Sequence, residues 1–219
     1  MSKRTRVSRI SGFLSVIAER QTYKNLLYLV VAFPLAVAYY VLLSVGFTLG
    51  IGLSILVVGL GILAATVIGL RYIAAFERWL ANRLLGTKIP TPSDVEDAGG
   101  GVIQTVKVYL HAPSTWRGLG FILLKFLLGI LSFILLVSFL GTALELLLLP
   151  VFPEGAFHVQ IVGWRVAQSF ETTTQRIIAV PIGAVLVFGS LHILNAFAKA
   201  NATIAVSLLG GEAPGDGDQ

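Results

Sequence analysis

The chain has no cysteine, one methionine, and no Asp, Glu, Lys or Arg between Leu26 and Leu70. The first absence removes disulfides, thiolate metal sites and cysteine nucleophiles. The third is harder to satisfy in water, because 45 consecutive residues then lack a charge. As one helix such a segment would be about 68 Å long, roughly twice the hydrocarbon thickness of a bilayer. It reads as two membrane crossings joined by a tight turn, which the cluster Gly46, Gly50 and Gly52 places at 46–52. Charged residues make up only 12% of the 219, and the mean hydropathy is +0.86. That is membrane composition.

Other familiar signals are missing too. The first 25 residues carry Lys3, Arg4, Arg6, Arg9, Arg20 and Lys24 without a long apolar core, which argues against a signal peptide. The sequence holds no H-E-x-x-H, phosphate loop or kinase core. His111, His158 and His192 lie on three different segments. No catalytic residue, metal ligand or cofactor site is therefore expected, and the chain does not read as an enzyme. Glu145, at the end of the third span, is expected at the membrane boundary rather than inside it.

Two more apolar spans follow. Residues 118–144 carry only Lys125, and residues 177–198 carry no charge. Helices are expected at 26–46, 50–70, 119–145 and 177–198, with Lys125 snorkelling to a boundary. The expected fold is all-α: a polytopic membrane protein with four transmembrane helices as two hairpins, plus a cytoplasmic interfacial helix. In-span glycines, including Gly59, Gly61, Gly69, Gly129, Gly183 and Gly189, read as points of close helix approach. His192 with Asn195 reads as an interhelical hydrogen-bond pair. The basic residues concentrate in 1–25, 71–117 and 199–219, whereas 145–176 has only Arg165 and Arg176. This bias predicts a multi-pass cell-membrane protein with both termini cytoplasmic. It also accounts for the net charge of +5 through topology and the lipid bilayer, with no nucleic-acid partner.

The interfacial helix is expected over 71–86. There Ile73, Phe76, Leu80 and Leu84 form an apolar stripe opposite Arg71, Arg78 and Asn82, ended by Gly86. Its membrane-interface residues are Arg71, Phe76, Glu77, Arg78 and Trp79. A Pro- and Gly-containing connection follows, with a short element from Val102 to Leu110. Between spans three and four lies the one sizeable far-side loop, 150–176, with a short extended stretch near Phe157–Ile161 and a fourth helix starting within Ser169–Gln175. Glu154, His158, Trp164, Arg165 and Glu171 are its candidate ligand-binding residues, although the two glutamates could instead pair with Arg165 and Arg176. At an offset of 93 residues, Leu26, Leu35, Tyr40, Leu42 and Leu43 align with Leu119, Leu128, Phe133, Leu135 and Leu136. That is either a parallel duplication or the chance likeness of apolar helices.

Several elements together resemble a known family. Tyr23 precedes Leu26-Leu27-Tyr28-Leu29 and Pro34, and the glycine-rich reversal follows at 46–52. Val58-Gly59-Leu60, Phe76-Glu77-Arg78, Trp116-Arg117, Pro150 and Leu208-Leu209-Gly210 complete the series over residues 20–210. In their order and spacing they resemble the putative sensor domain family, often found at the N-terminus of histidine kinases. The resemblance implies four transmembrane helices and membrane signal perception. No kinase transmitter follows Gly210 here, so output is expected through a cytoplasmic signalling partner (a kinase or regulator) or a homo-oligomer. The domain organisation expected is a basic cytoplasmic N-terminus (1–24), a four-helix sensor-like domain (25–210) and a disordered acidic tail (211–219). The functional expectation is a non-catalytic sensor or signalling subunit; an accessory subunit of a membrane transporter is the alternative.

Overall fold

The structure is a computed structural model and describes residues 16–94, 101–161 and 163–210, without the side chains at 102, 103, 161 and 164. Most of the basic N-terminus and the acidic tail 211–219 lie outside the described residues. Helix α1 spans Arg20–Gly52 and α2 spans Val57–Leu80, the latter running on through a π turn, Ala81–Leu85. A short α3, Val102–His111, precedes α4, Pro113–Leu135; a π turn at Leu136–Gly141 joins α4 to α5, Thr142–Leu148. Strands β1 (Gln160–Ile161) and β2 (Trp164–Arg165) form a two-residue antiparallel pair, and a 3-10 turn leads to α6, Thr173–Leu209. Four helical segments, of 33, 29, 36 and 37 residues, are long and apolar enough to cross a membrane. Apart from that strand pair the fold is all-α, as the sequence predicts.

The helices outrun the apolar runs that announce them. A hydropathy window ends where the first polar residues begin, but backbone hydrogen bonding does not: α1 already starts at Arg20. The first reversal is also displaced. It lies at 53–56, while Gly46 and Gly50 are helical. A Cβ on Gly46 would strike the Thr66 side chain, and one on Gly50 would lie 2.6 Å from Leu63. These glycines let α1 and α2 approach closely instead of turning the chain.

The chain divides into two compact units that cut across its sequence halves: Met1–Val30 with Ile130–Ala198, and Val31–Gly129 with Lys199–Gln219. In the first unit, Leu146 of α5, Leu149 just beyond its end and Ala179 of α6 pack with Ala167 from the loop. Gly183 lies against the Ala143 carbonyl, where a Cβ would come within 3.0 Å. Asn195 does take part in interhelical bonding, but with α1: it donates to Thr22 at 3.0 Å and accepts from Asn25 at 2.9 Å.

The second unit has a core of Tyr39, Leu43, Leu70, Ala74, Phe121, Ile122, Ala205 and Leu209. Gly129 of α4 meets the backbone of α1 at Ala32 and Phe33. At Gly61, Gly69 and Gly189, by contrast, nothing stands within 4 Å of an added Cβ. Residues 71–80 are the last turns of α2, and their packed face is Ala74, Glu77 and Leu80. Phe76 stays exposed and stacks on Trp79, with ring centroids 5.7 Å apart. Gly86, at φ 71°, ends the π turn as expected. Asn82 then holds the returning chain, donating to the Ile89 carbonyl and accepting from the Ile89 amide.

Candidate functional site

The loop after α5 is built on one buried carboxylate. Glu145 is fully buried, and its Oε2 accepts a hydrogen bond from the Phe157 amide at 2.8 Å. Gly155 passes directly over this carboxylate at φ 97°, a conformation and a closeness that exclude a side chain. Glu145, expected at the membrane boundary, is thus buried within the protein at the end of the third long helical segment. A carboxylate that accepts from backbone amides supplies the partner that the reversing chain lacks, so it is buried beneath the loop it organises.

From this anchor the chain continues through His158, whose φ of 52° is unusual for a residue with a side chain. Val159 is buried and its carbonyl accepts from the Val166 amide. The strand pair sets Gln160 opposite Arg165, with Gly163 at φ 81° in the turn. The extended stretch expected near Phe157–Ile161 is thus present, and shorter. Helix α6 then starts with a capping box. The Gln175 amide donates to Thr172 Oγ1 at 3.3 Å, while Gln175 Oε1 accepts from the Thr172 amide at 3.1 Å and from the Glu171 amide at 3.0 Å. That start falls within the Ser169–Gln175 stretch where the sequence places it.

These turns border an open cavity of about 540 Å³. Four of the five candidate residues, Glu154, His158, Arg165 and Glu171, line it. Trp164 lies in β2, and its side chain is outside the described residues. Arg176, absent from the candidate set, completes the lining and donates through Nε to the Phe170 carbonyl at 3.1 Å. The glutamate–arginine pairs considered from sequence do not form. Among the described residues the salt bridges are Lys125–Glu77 and Arg71–Asp94. Both charge signs therefore face the cavity unneutralised.

The second unit holds a different polar centre. Lys125 Nζ lies 3.0 Å from Glu77 Oε2, and both side chains are fully buried. Tyr39 of α1, 6% exposed, stands beside Glu77. Lys125 does not snorkel to a boundary: a carboxylate one helix away meets its charge inside the protein. The pair turns Glu77 into the protein, on the face of α2 opposite the exposed Phe76 and Trp79. Arg71 too is turned inward. It donates to Ser114 and Thr115 hydroxyls at 2.9 Å each and lies over the Tyr109 ring, while Asp94 accepts from the Ser114 amide and hydroxyl. Arg78 is partly buried and Trp79 exposed. Finally, Arg117 donates to the Ser207 and Gly210 carbonyls at the end of α6.

Among the described residues no three His, Asp or Glu side chains gather as a metal site requires. With these features in place, the comparison with known families is decisive: the putative sensor family matches residues 28–209.

The chain belongs to the putative sensor family. The matched region of this sensor-family protein includes the loop cavity, Glu145, the Lys125–Glu77 pair and the long apolar helices, the first of them from Tyr28 onward. No curated protein and no solved structure matches it. Its four long helices leave large apolar side chains such as Leu42, Leu60, Leu127 and Val185 more than half exposed, the surface a bilayer covers. It is a multi-pass membrane protein.

Proposed function

We propose that this protein is a non-catalytic signal-perception subunit of the cell membrane, in which the loop cavity receives the stimulus outside the cell. The observation that carries the reading is the cavity itself. It is lined by charges of both signs, in a loop tied down by the Glu145–Phe157 hydrogen bond and the strand pair. A loop shaped this closely, with uncompensated charge facing its hollow, fits recognition better than connection.

The orientation rests on basic residues: 13 lie in 1–25, 71–117 and 199–219, against Arg165 and Arg176 in the loop. Both termini are then cytoplasmic. The route to the inside is α6, which runs unbroken from Thr173 beside the cavity to Leu209, where Arg117 grips its end. A change in the loop that shifts α6 alters what that end presents to a cytoplasmic partner or to a second copy of the chain. Such a relay needs two arrangements with different affinity for the stimulus.

The test is the double substitution Trp164→Ala with Arg165→Ala in cells. The variant should be expressed and inserted normally, yet its transcript profile should coincide with that of a strain lacking the protein. A wild-type profile from the double variant would remove the loop as the receiving site.

A further inference from the structure

The charges around the cavity say what kind of ligand it takes. Among the described residues the Arg165 side chain makes no hydrogen bond or ion pair, and the Arg176 side chain uses only its Nε, on the Phe170 carbonyl. Glu154 and Glu171 lie on the same lining, and among the described residues neither carboxylate is within 4.0 Å of a basic group. A simple anion would answer the two guanidinium groups but would bring its charge toward both carboxylates. A simple cation has the reverse difficulty. A ligand carrying both charges satisfies both sets, and the guanidinium fork suits a carboxylate.

Size and polarity narrow it further. A hollow of about 540 Å³ falls within the usual range for small-molecule sites, roughly 300–1,000 Å³. Phe170 and Pro153 give it an apolar wall. His158, held at φ 52° next to the anchored Phe157 amide, presents a ring that can donate or accept.

We infer that the cavity binds a small zwitterion of the amino-acid or short-peptide class. Its carboxylate is met by Arg165 and Arg176, and its ammonium by Glu154 and Glu171. This inference rests on the loop being the receiving site, and it names what is received.

The experiment uses the whole chain in nanodiscs and three probes: the dipeptide Gly-Leu, its N-acetyl form and its C-terminal amide. Calorimetric titration should show Gly-Leu binding, with each blocked form at least roughly tenfold weaker, the loss of one charge-assisted contact. Arg165→Gln should weaken Gly-Leu but not the amide any further, and Glu171→Gln should weaken Gly-Leu but not the acetylated form. Equal binding of the acetyl form would make the cavity an anion site, and equal binding of the amide a cation site; either overturns the inference. So does an absence of binding by all three up to roughly 10 mM. Should a variant fail to fold, the blocked peptides on the unaltered protein still decide. The transcript test involves no ligand, so the receiving role of the loop stands or falls apart from this result.

Discussion

Lys125 and Glu77 form an ion pair at 3.0 Å with neither side chain exposed. Taking two charges out of water costs several kcal/mol each, which mutual attraction repays only in good geometry. The pair therefore fixes the register of α2 against α4 more than it adds stability, and it settles which face of residues 71–80 is buried. Phe76 and Trp79 are left outward because Glu77 must face in.

Removing one partner should be far worse than removing both. Glu77→Leu or Lys125→Met alone should cost about 3–5 kcal/mol, since each strands a buried charge. The double variant should recover most of that loss. Thermal unfolding in nanodiscs checks it, and a double variant as unstable as either single one would refute the register argument.

The loop should depend on Glu145. Glu145→Ala deprives the Phe157 amide of its acceptor, a loss of about 1–3 kcal/mol felt locally. Hydrogen exchange across residues 153–159 should accelerate markedly while exchange in α4 stays unchanged. Gly155→Ala should act in the same direction, because its Cβ would meet the carboxylate and the φ of 97° is unfavourable. Unaltered exchange in Glu145→Ala would show that the loop is held by its other contacts.

The orientation is open to a direct check, since the chain has no cysteine of its own. Ser93 and Glu154 are both exposed. Cysteines introduced singly at these positions should label from opposite faces of intact cells, with position 154 reached by an impermeant maleimide from outside. Reaction of both from one side would rule out the proposed crossing pattern.

Some of this architecture was legible in the residues because it follows from one-dimensional quantities. Four apolar runs require four hydrogen-bonded crossings whatever they pack against. Gly86 as a stop and the extended stretch before Ile161 are likewise local. The grouping of Glu154, His158, Arg165 and Glu171 came from their sharing one loop, and the loop sets them around one open cavity.

What only the tertiary structure decided concerns partners far apart in sequence. Nothing in the run around Lys125 announces a carboxylate 48 positions earlier. Likewise nothing near Glu145 says that the chain will turn back over it at Gly155, or that Gly46 and Gly50 serve a helix contact instead of a turn. The sequence by itself determined how many times the chain crosses, because hydrophobic length is a property of a segment. Where each charge ends up was decided by packing, because burying a charge depends on what another helix brings to it.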